Sequence, residues 1–494
     1  MTFRRRDVLL TFVLLTAMAL ALADLSARRP DPWLMLSQMA QGLMAPDFTD
    51  LPGLFRATGL TLAFAFCGVG LGAAAGLLLA PFYHLRVVRY LCVSIRAVHE
   101  LFWALLLLNL TGFSPLTGVL AIGLPYTGIF AKVFSEYLDE SDPTAEAILP
   151  PGLSGLTTLL WVRIPQCLPQ MRTYTLYRLE CGLRSSAVLG FIGLPTLGYH
   201  LETAFRQAHY GQAAAVLAIF LALILPIRRW MIWRLVPLFL VASGVALALV
   251  TSPPMGDGAY GRFLADILPS PIRTEMAWSD WLYRLFIEQA WPGSVDTLVL
   301  SQIALAGAAA LAALAFPAIV PAVATRFGAF IGHAILVILR SIPEFMLAFI
   351  FVQVFGPSML PAILALALHN GAIIAHLLGR QASGLTLRPD APRGLTLWAW
   401  ELFPRIGGNF WALCLYRWEI ILRESAIMGL LGIGTLGYYI QSNVQQLRLD
   451  RVVALLLVSI LLTLLIDRIS RTLRTRMRWG SHLRIEAHRG DRQT

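Results

Sequence analysis

Residues 176–199 read LYRLECGLRSSAVLGFIGLPTLGY, and residues 415–438 read LYRWEIILRESAIMGLLGIGTLGY. Laid over each other at an offset of 239 residues, Tyr177, Arg178, Glu180, Arg184, Ser186, Ala187, Gly190, Gly193, Thr196, Leu197, Gly198 and Tyr199 recur as Tyr416, Arg417, Glu419, Arg423, Ser425, Ala426, Gly429, Gly432, Thr435, Leu436, Gly437 and Tyr438. Charges, hydroxyls and glycines are awkward in an apolar chain, so two copies of one set specify two equivalent bodies facing each other across a shared path. Upstream, Arg96, Glu100 and Gly112 match Arg340, Glu344 and Gly356 at an offset of 244, which falls to 239 by Pro165 and Pro404. The first half therefore carries five extra residues in the intervening loop.

The whole chain of 494 residues is 57% hydrophobic and only 14% charged, with a mean hydropathy of +0.69. That composition belongs in a bilayer. Apolar runs near 8–24, 59–82, 88–110, 115–135, 180–200, 211–227, 230–251, 296–320, 327–352, 356–378, 415–440 and 452–467 predict an all-α polytopic membrane protein of about twelve transmembrane helices of about 20 residues each. Six per half makes two parallel repeats, a first unit over 1–229 and a second over 230–494 ending in a basic tail. The arginines of MTFRRR, of HLRVVR at 84–89, at Arg228 and Arg229, and from Arg468 onward fall on one side if the helices alternate, which makes that side cytoplasmic and puts the termini there. The first apolar run is expected to stay as an uncleaved anchor, because a cleaved signal peptide would invert this pattern. The net charge of +11 is then a topology signal rather than a nucleic-acid footprint. The five cysteines have no metal-ligand spacing, and no metal site is expected. An outer segment, WSDWLYRLFIEQAW at 278–291, puts Trp278, Trp281, Leu282, Leu285 and Phe286 on one helical face and predicts an interfacial helix ended by Pro292 and Gly293.

In the loop between the fourth and fifth spans, Glu146 and Ala147 are followed by Gly152, and then by Val162, Arg163, Ile164 and Pro165. This pattern resembles the EAA loop of ATP-binding-cassette importer permeases, with Ile148, Val162 and Ile164 as apolar substitutions. The second loop keeps only Pro404, preceded by Glu401, Leu402 and Phe403; Leu385 and Ala391 stand opposite Glu146 and Gly152. The duplicated segment itself is similar to the phosphonate-type permeases of that superfamily, and RAVHELFWAL and RSIPEFMLAF resemble their Arg-x-Ile-Pro-Glu span, with His99 where Pro343 supplies the proline. The resemblance covers most of both halves. It implies a type I, methionine-importer-like permease fold and a transport subunit that is not itself an enzyme. It further implies two separate ATPase subunits that bind ATP and magnesium and dock on the loops, and an outer solute-binding protein. The inner membrane is the expected location, and a phosphonate or related phosphorus oxyanion is the expected solute.

Candidate path or gate residues follow from the repeats: Arg96, Glu100, Arg340 and Glu344 within spans, and Arg184, Ser186, Gly190, Gly193, Arg423, Ser425, Gly429 and Gly432 in the duplicated segment. Arg96 with Glu100, and Arg340 with Glu344, are four residues apart and can pair on a helical face; an unpaired charge costs roughly 2.5–3.5 kcal/mol at the bilayer centre. The alternative is that these arginines line the path and attract an anion. Arg178, Glu180, Arg417 and Glu419 are expected, with Arg184 and Arg423, to orient the helix leaving each loop. The glycines either let helices approach closely or leave backbone N–H groups free for an oxyanion. Lys132, in IFAKVF, is the only lysine in the sequence, which excludes a phosphate-binding P-loop, and His99-Glu100 is not followed by the second histidine of a zinc protease. A secondary transporter with six-plus-six parallel repeats shares the architecture, but the basic Gly-Asp-Arg loop between its second and third spans is absent. Nothing supplies the nucleophile and base of a membrane enzyme.

Overall fold

The computed structural model describes residues 5–142, 144–147, 150, 152–252 and 258–476. All regular elements among them are helical. The first half contains α1 (Arg5–Leu22), α2 (Pro32–Met44), α3 (Leu51–Leu79), α4 (Arg86–Ala97), α5 (Glu100–Thr111), α6 (Pro115–Asp139), α7 (Ile164–Val188), α8 (Leu197–Arg206) and α9 (Tyr210–Ile224). The second contains α10 (Val236–Ala248), α11 (Trp291–Ala315), α12 (Arg326–Ser341), α13 (Glu344–Phe355), α14 (Met359–Ser383), α15 (Phe403–Ile427), α16 (Leu436–Gln445) and α17 (Leu449–Arg476).

Among the described residues the apolar helices fall into three groups, unbroken long ones, bent pairs, and the shorter Leu9–Leu22, Tyr210–Ile224 and Trp233–Ala248. Leu51–Phe82, Pro115–Asp139, Trp278–Ile319, Met359–Ser383 and Leu449–Thr475 are long and apolar enough to cross a bilayer unbroken, and up to eight crossings result if each of three bent pairs counts as one. The expected spans 88–110 and 327–352 bend by 94° between α4 and α5 and by 90° between α12 and α13. Pro343 accounts for the second break, since a proline forces the preceding residue out of the helical region, and Ile342 is extended at ψ 126. At the first break His99 does the same work without a ring constraint: Val98 is extended at ψ 132, and the His99 Nδ1 accepts the Leu101 N–H at 3.3 Å as the N-cap of α5. The expected span 180–200 is likewise divided, because α7 ends in a 3-10 turn and Gly193 takes a left-handed φ of 96° before α8 begins.

Each half is organised around one close helix pair. Gly68, Gly72 and Gly76 recur every fourth residue on α3, and a Cβ at Gly68 or Gly72 would meet Cβ of Ile122 or Tyr126 on α6 at 2.7 or 2.6 Å. The absence of side chains lets the backbones approach, which is how helices without a hydrophobic drive between them gain packing energy. In the α11–α14 pair the small residues are Ala304, Ala308 and Ala312, each fully buried, and α14 contributes its own Gly371 opposite Ala308.

The first helix of each half packs on the other half. On α1, Phe12 meets the Trp411 ring of α15 edge-on at 5.6 Å, and Thr16 Oγ1 accepts from Gln302 Nε2 of α11 at 3.0 Å. On α10, the Phe239 ring lies 5.1 Å from Phe66 of α3. The segment after α1 continues the exchange, with Arg28 N donating to Phe355 O and Met359 N to Asp24 O. The tryptophan-rich segment departs from its expectation. It runs without a break through a π-helical stretch, Tyr283–Ala290, into α11, so Pro292 does not end the helix. Trp281 and Leu285 turn inward while Trp278, Leu282 and Phe286 stay exposed. Trp281 Nε1 donates to Asp450 Oδ2 at 2.7 Å, and Ser270 N and Oγ donate to the same oxygen.

Candidate functional site

Two regions gather the residues singled out above: the breaks of the bent spans, where the halves meet, and the loops preceding α7 and α15. At the breaks, the ion pairs expected from four-residue spacing do not form. Arg96 and Arg340 sit in the last turns of α4 and α12, Glu100 and Glu344 begin α5 and α13, and the near-right-angle bend carries each carboxylate away. Each glutamate is held by its own half. Ser185 Oγ donates to Glu100 Oε1 at 2.6 Å and His99 Nδ1 lies 3.6 Å from its other oxygen, while His369 Nε2 lies 3.6 Å from Glu344.

The arginines instead reach across the halves. Arg184 Nη1 donates to the Arg340 carbonyl at 3.2 Å, and its repeat equivalent Arg423 donates through Nη1 to the Arg96 carbonyl at 3.0 Å. Each bond satisfies a carbonyl that the break leaves without a helical N–H, and each ties an arginine side chain of one half to the backbone of an arginine of the other. Arg184 and Arg423 therefore do more than orient the helix leaving a loop. Arg178 keeps the local role: its Nε donates to Tyr174 Oη at 2.8 Å, and its guanidinium lies over the Tyr174 ring.

Ser186 and the glycines serve packing. Ser186 Oγ, fully buried, donates to the Thr61 carbonyl of α3 at 2.8 Å, and Thr61 Oγ1 accepts the Leu197 N–H at the start of α8. In the second half Thr297 Oγ1 accepts the Leu436 N–H at 3.1 Å, but Ser425 Oγ, equally buried, has no partner. A Cβ at Gly190 or Gly429 would run into the backbone of Tyr199 or Tyr438, and one at Gly198 or Gly437 into the Ala187 or Ala426 carbonyl. The N–H groups of this segment are taken as well: Gly193 N bonds Gly190 O, and Gly432 N bonds Gly429 O. The geometry favours close packing over an oxyanion nest.

The repeat is not symmetric at its centre. Ser185 of the first half stands opposite Glu424 of the second. Glu424 is buried and accepts from Asn370 Nδ2 at 2.8 Å, and Asn370 Oδ1 accepts from Arg417 Nη1 at 3.2 Å. The sequence reading passed over Glu424; the Ser185–Glu424 mismatch inside an otherwise matching segment was its only signal.

The loops share a scaffold. The first holds a short helix, Thr144–Ala147, started by Asp142, whose Oδ1 accepts the Thr144 N–H at 2.9 Å; that bond holds the Asp142 carboxyl below the usual carboxylate range. Gly152 takes a φ of 95°, Val162 lies in a π-helical turn, Leu159–Arg163, and Ile164 and Pro165 open α7. The backbone of Glu146 and Ala147 is helical, while Ile148 lies outside the described residues. The second loop repeats the π-helical turn at Trp398–Leu402 and opens α15 with Phe403 and Pro404. Its left-handed glycine is Gly394 at φ 66°, three positions later than the alignment of Gly152 with Ala391 suggests. Glu401 faces inward, accepting from Arg388 N and pairing with Arg405 at 3.0 Å, so it braces the loop. The exposed groups are others. Trp161 and Trp400, 239 residues apart, are 78% and 79% exposed, and Leu156 and Leu395, equally related, are exposed beside them. A cleft of about 530 Å³ separates the first loop from Tyr83, His84, Arg89 and Asp139. No group of three or more His, Cys, Asp or Glu side chains among the described residues could hold a metal ion.

Comparison with known proteins fits this geometry. The chain is 26% identical over 491 aligned positions to the phosphate-import permease protein PhnE of Mycolicibacterium smegmatis, covering 89% of this chain and 88% of that one. It is 30% identical over 200 positions to the phosphite transport system permease protein PtxC of Stutzerimonas stutzeri, covering 38% of this chain and 72% of the relative. The chain belongs to the phosphonate-type permeases of ATP-binding-cassette importers. It is the membrane-spanning subunit of such a system, which works with ATPase and solute-binding partners. Since 200 positions already make up 72% of the phosphite permease but only 38% of this chain, that relative is the shorter protein. No family model matches the chain, and no solved structure does.

Proposed function

We propose that this permease imports a phosphorus oxyanion, a phosphonate, phosphite or phosphate, across the inner membrane, with the termini and both loops on the cytoplasmic side. The reading rests on the similarity, through both halves, to a permease named for phosphate and, over one half, to one named for phosphite. A solute-binding protein delivers the anion to the outer face formed by the segments before α3 and α11. Two ATPase subunits, carrying ATP and magnesium, dock on the two loops, and their closure is transmitted through α7 and α15, the helices that each loop opens. The units 1–229 and 230–494 then rock about the junction where Arg184 and Arg423 cross, in the manner of a type I importer.

Reconstituting the permease with its ATPases and binding protein tests this reading. ATP hydrolysis rises on adding at least one of methylphosphonate, phosphite or phosphate; no response to any of the three overturns the assigned solute. Ion-gradient uptake by the chain alone, with no ATPase co-purifying, would instead favour a secondary transporter.

A further inference from the structure

The cross-half arginines make no contact ion pair. None of Arg96, Arg184, Arg340 and Arg423 lies within 4.0 Å of a carboxylate among the described residues. Glu100 and Glu344 are engaged by Ser185, His99 and His369, Glu424 by Asn370, and Glu180 and Glu419, four residues before Arg184 and Arg423, stay beyond pairing distance. The Nε atoms of Arg96, Arg340 and Arg423 are inaccessible and without any hydrogen-bond partner. Buried donors are almost always satisfied, and an orphan that is charged is costly. Arg184 spends Nη1 on the Arg340 carbonyl and reaches Cys181 Sγ with Nη2 at 3.5 Å, and Arg423 spends Nη1 on the Arg96 carbonyl. Each cross-half bond thus joins two arginines of opposite halves that keep guanidinium donors free, the groups that bind the oxygens of a tetrahedral anion.

We infer that Arg184 with Arg340, and Arg423 with Arg96, form two repeat-related oxyanion sites at the junction of the halves, a relay through which the anion passes. The inference deepens the proposed function, since it assigns a tetrahedral oxyanion to a place inside the membrane. Because each pair is held by one side-chain-to-carbonyl bond between the halves, rocking of the halves opens or closes the site.

Binding of labelled phosphite and phosphate to the full-length permease in nanodiscs, without ATPase or binding protein, reads the site directly. Arg184→Gln with Arg340→Gln, or Arg96→Gln with Arg423→Gln, weakens binding about ten-fold or more, while the lysine versions, which keep the charge, retain most of it. Melting temperature and monodispersity of each variant report on folding. Phosphatidylcholine and phosphatidylglycerol nanodiscs separate free anion from lipid phosphate: equal affinity in both supports the relay, and loss in phosphatidylglycerol assigns the guanidiniums to lipid headgroups and overturns it. Absence of saturable binding by the wild type, or unchanged binding by folded glutamine variants, also overturns it. Uptake by the complete reconstituted system separates the two readings. Phosphorus oxyanions transported at wild-type rate by the glutamine variants would remove the relay and leave the function. Anion binding that depends on the arginines, in a system that transports none of these solutes, would remove the function and leave the relay.

Discussion

Gly190 and Gly429 are set by distance rather than by conformation. A Cβ at Gly190 would lie 2.7 Å from Thr196 Oγ1 and against the Tyr199 backbone, which cannot yield as a flexible side chain could. Gly190→Ala is therefore expected to cost about 1–3 kcal/mol as an overpacked site, read as a lowered melting temperature of the purified permease. An unchanged melting temperature would mean that the turn opens without cost. Ser186→Ala removes the bond to the Thr61 carbonyl and is expected to cost about 0.5–1.5 kcal/mol, whereas Ser425→Ala removes an oxygen that bonds nothing and is expected to be neutral or stabilising. Comparing the two melting temperatures tests whether the halves are bound to their cores in the same way. The sequence presented these residues as equal, because identity at aligned positions reveals which side chains recur and not whether each finds its acceptor. Glu424 shows the converse. A single mismatch in a repeated line is easily taken for drift, yet it places a buried carboxylate where the other half has a hydroxyl.

At the scale of elements, two different residues make one shape. His99 has a φ of −68° and follows an extended Val98, so the backbone at the first break already fits a proline. His99→Pro is expected to leave the fold intact and to change stability by less than about 1 kcal/mol, since the lost cap is offset by a stiffer unfolded chain. A large drop in melting temperature would show that the His99 contacts to Leu101 and Glu100 hold the bend. The loops admit a second prediction. Trp161→Ala with Trp400→Ala, at positions that touch solvent in the permease alone, is expected to weaken ATPase association about ten-fold or more while melting is unchanged; retained stoichiometric co-purification would argue that these rings meet lipid instead. Hydropathy located most of the apolar helices correctly but not their breaks. A sliding count of apolar residues is blind to a backbone turn, and only Pro343 announced one. The exposed tryptophans escaped notice for a related reason: they fall between the residues that carry the EAA pattern, and exposure is a property of packing that no spacing encodes.

The whole molecule is an interlaced pair. Because α1 lies against α11 and α15 while α10 lies against α3, severing the chain between Trp230 and Trp233 is expected to yield two pieces that co-purify when made together and that are unstable when made alone. Pull-down of one tagged piece by the other checks this, and independent, monodisperse halves would contradict the exchange. The duplication was legible from the sequence. The exchange was not, since α1 and α10 stand outside the repeated lines and their composition specifies an apolar helix without naming a neighbour. That exchange also has a timetable. Trp411 leaves the ribosome about 400 residues after its ring partner Phe12; at roughly 5–20 residues per second α1 waits some 20–80 s for the surface it belongs to. During that interval its apolar face is held by lipid or by the insertion machinery, and the second half, once made, has to displace whatever shelters it. Assembly of this permease thus leaves α1 without its seat until the second half has been made.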